Sequence, residues 1–238
     1  MGQKVNPIGF RTGVVIGWKS RWYASKQEFA ELLVEDHKIR KFIKNHPKKG
    51  QQYRSAGIDR IEIERTRDEV RVMLFVARPG YIIGKKGQDV EALQEELQSL
   101  IGRRVNLKIE EVSRPEIMAQ LVAEDIAQQL TKRANFRRTM KRAIETTMDA
   151  GAKGIKVQLA GRLGGAEMAR REKANAGALP LSTLQAKIDY GFAEASTPQG
   201  NIGIQVWVNQ GTYAGDSSDG ADAQAGQASK KPKRAYKR

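Results

Sequence analysis

The chain has 238 residues, with 42 Lys and Arg against 27 Asp and Glu, a formal net charge of +15 and a pI near 10.0. This basic excess calls for a polyanionic partner, nucleic acid first and an anionic membrane surface second. No apolar run reaches the roughly 18 residues that span a bilayer, and mean hydropathy is −0.57. Cysteine is absent, which excludes disulfides and thiolate metal sites and fits a reducing cytoplasm. The only histidines, His37 and His46, sit nine residues apart in a Lys-rich helical stretch. They read as solvated surface groups. No metal, cofactor, small-molecule substrate or His-based catalytic centre is expected.

The N-terminus, MGQKVNPIGF, lacks the apolar core of a signal peptide, and Asn6 stands where a myristoylation signal needs Ser or Thr. Residues 1–24 read as an irregular arm, with glycine at 2, 9, 13 and 17 and cations at Lys4, Arg11, Lys19 and Arg21. Lys4 and Arg11 are candidate RNA contacts. The first helix is expected from Ser25, where Ser25 and Glu28 match a capping box. Its apolar face is Phe29, Leu32, Leu33, Ile39, Phe42 and Ile43, and Asn45-His46-Pro47 ends it. Ile61 and Ile63, then Val70, Val72, Leu74 and Val76, alternate with polar residues and predict two strands joined through Arg67-Asp68-Glu69.

Next comes VARPGYIIGKKGQDVEALQ. Pro79-Gly80 turns the chain, Tyr81 to Ile83 make a short apolar segment, and the tetrad Gly84-Lys85-Lys86-Gly87 precedes a helix running through Ile101. Glycine at both ends lets this turn approach a partner closely, and the two lysines supply charge without catalytic function. That combination suits a sugar-phosphate backbone, and it is the GXXG loop of a KH domain. Val105, Leu107 and Ile109 predict a closing strand. The order helix, strand, strand, short helix, long helix, strand is the type II KH arrangement. A Walker A loop is rejected: Gly80 and Gly84 are separated by three residues instead of four, and Lys86 stands where a hydroxyl is needed.

A second domain is expected from Ser113, which with Glu116 forms another capping-box pattern beside Pro115. Ile117, Leu121, Val122, Ile126 and Leu130 line one helix, and a second helix follows the break at Ala134-Asn135. In its FRRTMKRAIETTM stretch, Phe136, Met140, Ile144 and Met148 form the inward stripe. Arg137, Arg138, Lys141 and Arg142 gather on the opposite face near the positive end of the helix dipole. Acidic partners are missing until Glu145, so the cluster is a candidate phosphate-binding face. Strands are predicted around Ile155, Val157 and Leu159, in GRLGGAEMARRE, around Ile188, Tyr190 and Phe192, and at Ile202 to Val208. Arg162, Arg170, Arg171 and Lys173 make a second basic group, partly offset by Glu167 and Glu172, beside glycines that permit close approach.

The chain therefore reads as α+β. A type II KH domain (25–112) is followed by a second α+β domain of two helices on a four-stranded sheet (113–211). A basic arm (1–24) precedes them, and a disordered basic tail (212–238), ending KKPKRAYKR, follows. A freestanding KH-domain RNA regulator is compatible with these residues. A nucleotide-dependent enzyme is disfavoured by the failed Walker pattern.

MGQKVNPIGFR, ARPGYIIGKKG, FRRTMKR, GAKGIKV with GRLGGAEMARRE, and IDYGFAEASTPQGNIGIQVWV occur in that order. Together they resemble the S-three family of bacterial small-subunit ribosomal proteins, over residues 1 to about 211. Tyr81 stands where that family more often has an aliphatic residue. The resemblance implies a non-enzymatic protein on the head of the small subunit, in the cytoplasm, bound to small-subunit rRNA. It implies small-subunit proteins ten and fourteen as neighbours, with two, four and five nearby. It also implies a place on the channel through which mRNA enters. Carried over by motif, Arg137, Arg138 and Lys141 are the residues that help open structured mRNA there.

Overall fold

A computed structural model describes residues 4–47, 49–66, 69–84 and 87–213. The described chain builds two sheets, each over its own apolar core. The arm is more ordered than its composition suggests. Pro7–Arg11 forms a short helix, α1, capped by the Asn6 side chain, which accepts the Ile8 N–H at 2.9 Å. Ser20–Arg21 forms a strand, β1, that pairs in parallel with Ile63 and Glu64.

Helix α2 (Phe29–Lys44) starts four residues later than the capping-box reading places it. Only half of that box is made, with the Glu28 N–H donating to Ser25 Oγ at 3.4 Å. A short helix, α3 (Gly50–Ala56), has no counterpart in the sequence pattern. Its inward residues are Tyr53 and Ala56, too few to set up a periodicity. Strands β2 (Ile58–Arg65) and β3 (Glu69–Val76) pair antiparallel, with the alternating residues of both turned inward. The proposed connecting residues Arg67 and Asp68 lie outside the described residues. Helices α4 (Gly80–Ile83) and α5 (Gln88–Ile101) then carry the chain to β4 (Arg104–Glu111). β4 lies parallel to β3, which requires such a crossover. The sheet order is β1-β2-β3-β4, and Ile39, Ile43, Ile63, Leu74, Ile82, Leu93 and Leu97 are among its core residues.

In the second domain, Pro115–Ile117 forms a single 3₁₀ turn instead of a capped helix start. Helix α6 (Ala119–Thr131) is capped from a distance: the Ala119 N–H donates to Asp189 Oδ2 at 2.8 Å. Helix α7 (Phe136–Asp149) follows. The strands are β5 (Gly154–Gly161), β6 (Arg170–Gly177), β7 (Ala186–Thr197) and β8 (Gly200–Thr212). They form an antiparallel sheet in the order β6-β5-β8-β7. Helix α6 packs on β7 and β8, and α7 on β5 and β6. Phe192, which the alternation places on the same side as buried Ile188, is exposed, while Gly191 is buried. A Cβ at Gly191 would stand 2.2 Å from the Ala119 carbonyl oxygen, so α6 presses on the sheet where only glycine fits.

Order continues past residue 211, because β8 runs to Thr212 and the Tyr213 N–H donates to the Gln185 carbonyl at 3.0 Å. The rest of the expected tail lies outside the described residues.

Candidate nucleic-acid interface

In the KH-type loop, Gly84 has φ 69° and Gly87 φ 82°, backbone that disfavours any side chain. Gly84 is needed for space as well. A Cβ there would stand 2.0 Å from Asp89 Oδ2 and 2.7 Å from Asp89 Cβ. Asp89 is itself fixed, since Lys49 Nζ lies 2.6 Å from its carboxylate. That hydrogen bond holds the Asp89 carboxyl below its usual range. Gln52 Nε2 donates to the Tyr81 carbonyl at 2.7 Å and ties α3 to α4. Helix α3 thus braces the loop. Lys49 is occupied by Asp89 and adds no free charge. Lys85 and Lys86, the lysines of the tetrad, lie outside the described residues.

On α7, Asn135 caps the helix by accepting the Arg137 N–H at 3.0 Å. Met140, Thr139 and Thr147 are buried, and Phe136, Ile144 and Met148 pack against the core. Thr147 Oγ1 donates to the Ala143 carbonyl at 2.9 Å, which satisfies a hydroxyl on the inward face. The opposite face carries Arg137, Arg138, Lys141 and Arg142, all exposed. None of the four enters an ion pair among the described residues.

The GRLGGAEMARRE segment comes up against the start of this helix. Gly164 and Gly165 have φ 69° and 82°. The Phe136 ring lies 3.8 Å from where a Gly164 Cβ would stand. The Arg137 and Arg170 guanidinium groups each sit 5.6 Å from the Phe136 ring centre. Cation–π pairs of this kind contribute about 0.5–1 kcal/mol at exposed sites. The two basic groups that lie apart in the sequence therefore meet at one aromatic ring. The helical period marks Phe136 only as a core residue. Its position next to Arg137 in a helix start was the available signal, whereas Arg170 could be joined to it only by the fold.

The members of the second group differ in their commitments. Arg162 is turned inward, donating from Nε to the Ala166 carbonyl at 2.9 Å and from Nη1 to the Gln199 carbonyl at 3.0 Å, so it mainly holds the loop. Arg170 pairs with Glu172 at 3.4 Å. Arg171 and Lys173 are exposed on β6, an edge strand, and pair with no carboxylate among the described residues.

In the arm, Lys4 is exposed. Arg11 is not, and its reading as an RNA contact is corrected. It is fully buried, and its guanidinium donates to the carbonyls of Ala186 (2.9 Å), Pro7 (3.1 Å), Thr183 (2.7 Å) and Leu181 (3.3 Å). All three of its nitrogens are occupied, Nη1 within α1 and Nε and Nη2 on β7 and the loop before it, and none can face phosphate. His46 is likewise not a solvated histidine. It is 4% exposed, accepts the Lys49 N–H at Nδ1 (3.1 Å) and places Nε2 2.7 Å from Glu96. Because Nδ1 accepts, Nε2 carries the proton and donates to the carboxylate. His37 is exposed as expected.

Among the described residues no cluster of His, Asp and Glu is arranged to hold a metal ion, and no helix is long and apolar enough to cross a membrane.

Two family models match the chain: a KH domain over residues 29–117, and the C-terminal domain of ribosomal protein S3 over residues 126–208. The chain is 80% identical over 238 residues to the small ribosomal subunit protein uS3 of Rhodopirellula baltica, covering all of both sequences. It is 52% identical over 235 residues to the uS3 protein of Campylobacter lari, covering 99% of this chain and 98% of that one. With the uS3 protein of Desulfatibacillum aliphaticivorans it shares 50% over 225 residues, 94% of this chain and 100% of the relative.

Proposed function

The chain belongs to the family of small ribosomal subunit protein uS3, and from that premise we propose that its two basic surfaces divide the work between rRNA and mRNA. As a member of that family it is a structural, RNA-binding constituent of the small subunit and not an enzyme. In our reading, the Gly84–Gly87 loop with Lys85 and Lys86 binds RNA backbone. Lys4, Arg170, Arg171 and Lys173 add rRNA contacts, and Arg162 supports them by shaping its loop. The arm, up to about residue 24, anchors the protein to rRNA through Lys4 while Arg11 anchors the arm. The KH unit extends to about residue 112, and the second unit follows it. Small-subunit proteins ten and fourteen are the proposed neighbours, with two, four and five nearby.

The exposed face of α7 lines the channel through which mRNA enters, in this reading. Four exposed cations without ion-pair partners, on a helix start whose dipole is also positive, support it. Such a wall attracts phosphate whatever the sequence. It holds separated strands apart while translocation supplies the work, so no ATP-dependent step is involved.

The test is elongation by reconstituted ribosomes carrying Arg137→Ala, Arg138→Ala and Lys141→Ala together. Two messages are compared that differ only in a downstream hairpin. Passage through the hairpin is expected to slow severalfold more than passage through the open message. Equal slowing on both messages, or none on either, contradicts the mRNA role.

A further inference from the structure

A cleft lies where the arm, the KH domain and the second domain meet. Its lining is mixed in composition but not in availability. The carboxylates are engaged internally. Asp59 pairs with Arg60 at 3.1 Å, and Glu62 with Arg60 and Arg21 at 2.9 and 3.1 Å. Asp189 accepts the N–H groups of Ala119 and Tyr190 at 2.8 and 2.9 Å. Arg40 is engaged too, donating to the Lys19 carbonyl and to Ser20 Oγ. What remains is Lys19 from the arm, Lys41 and Lys44 from α2, and Lys187 from β7. None of these four forms an ion pair among the described residues, although Lys44 is near enough to Glu124, and Lys19 to Asp59, to favour the ionised carboxylates.

Lysines at the end of α2 complement its dipole, and that alone would explain Lys41 and Lys44. It does not explain Lys19 and Lys187, which reach the same concavity from other elements. Two aromatic rings also line it: Tyr190, set against Trp207 with centroids 5.4 Å apart, and Tyr213. Cations following a groove with aromatic surfaces between them suit a single nucleic-acid strand, whose phosphates need charge and whose bases have faces to stack.

We propose that this cleft is a further RNA-binding site, which holds one strand with its phosphates on Lys19, Lys41, Lys44 and Lys187 and a base or ribose against Tyr190 or Tyr213. The site shares no residue with the Gly84–Gly87 loop, α7 or β6, so it goes beyond the function proposed above. Three separate segments build it: Lys19 is held beside β2 by β1 and by Arg40, while Arg11 ties the arm's helix to the β7 side.

The test uses the full-length protein and a fluorescein-labelled, mixed-sequence, single-stranded RNA, with affinity read by anisotropy across a salt series. Lys41→Glu with Lys187→Glu should weaken binding at least tenfold at low salt. It should also flatten the slope of log affinity against log salt by about 1.4, at roughly 0.7 for each single-strand phosphate that the variant no longer neutralises. Lys26→Glu with Lys38→Glu changes the net charge equally outside the cleft, and should leave the slope unaltered. Equal effects from the two pairs would overturn the proposal, as would wild-type binding by the cleft variant. Lys85→Asp with Lys86→Asp reports on the loop separately. Weakened binding in that variant, beside a cleft variant that binds normally, leaves the loop reading standing and removes the cleft. Loss in the cleft variant alone does the reverse. If polyglutamate binds the wild type and not the cleft variant while RNA binding is unchanged, the cleft serves an acidic protein and the proposal falls.

Discussion

The KH domain and the second domain are both rich in arginine and lysine, yet they use these residues differently. Among the described residues, eleven Lys or Arg ion pairs lie between Arg21 and Glu110, and one, Arg170–Glu172, lies in the second domain. In the first domain most arginines are tied to carboxylates on its own sheet and helices. On α7 four cations face solvent without a partner. A net charge of +15 says that polyanions are attracted, but only the pairing says where. The described part of the KH domain neutralises much of its own charge, and its unpaired cations include Lys41 and Lys44 at the end of α2. The second domain presents unpaired charge along a helix and an edge strand.

Removing charge should therefore cost stability in the first domain and binding in the second. The largest effect on stability is expected at Arg65. Its side chain is 4% exposed, donates from Nε to Asp36 at 2.8 Å and from Nη1 to Glu35 at 2.6 Å, and Asp36 also accepts the Trp22 indole N–H at 2.9 Å. Arg65→Ala leaves buried carboxylate charge uncompensated and should destabilise by about 3–5 kcal/mol. Urea denaturation measures this, and a change well under about 1 kcal/mol would mean that water replaces the guanidinium.

Arg11→Ala comes next. The loss leaves several carbonyls without a donor, at about 1–3 kcal/mol each when fully buried, so roughly 3 kcal/mol is expected as arm detachment limits the total. Limited proteolysis should cut the arm before the domains unfold. An arm that resists cleavage in this variant would show that α1 is held by other contacts.

A smaller effect is expected at Asp59. Burial first, and the charge of Asp189 second, push its carboxyl above the usual range, and Arg60 offsets part of this. A carboxyl raised in the folded state destabilises the fold where it is ionised. The cost is full above the folded pKa and disappears below the unfolded value of about 3.9. Asp59→Asn should thus stabilise at about pH 7, with the gain fading as pH falls through the carboxylate range. Midpoints of urea denaturation at neutral and acid pH test this, and a loss at neutral pH would show that the Arg60 pair outweighs burial.

The smallest change in stability is expected from the α7 triple variant. Its side chains are exposed and unpaired, so the thermal midpoint should stay level or rise slightly as like charges leave the helix start. A marked fall would mean that the basic face is part of the domain's packing after all.

Much of this molecule is local and therefore legible in the sequence. The period of Phe136, Met140, Ile144 and Met148 forces Arg137, Arg138, Lys141 and Arg142 outward whatever α7 packs against, because about 3.6 residues per turn places them there. The alternation in β2 and β3 likewise assigns their inner faces. The glycines bounding the loop announce positive φ. Other features depended on partners far along the chain, which no local pattern encodes. An arginine whose acceptors are the carbonyls of Leu181, Thr183 and Ala186 looks, in sequence, like any exposed arginine in a basic arm. The α6 cap comes from Asp189, seventy residues away, and so a nearby Ser–Glu pair was the misleading signal. His46 went inside because Lys49 and Glu96 satisfy both of its nitrogens. Phe192 turned out because Gly191 admits the backbone of α6. Periodicity determines which way a side chain faces relative to its own element. Whether that face meets water, a carbonyl or another helix is settled only when elements distant in sequence pack, because the free energy of burying a polar group depends on the partner it finds there.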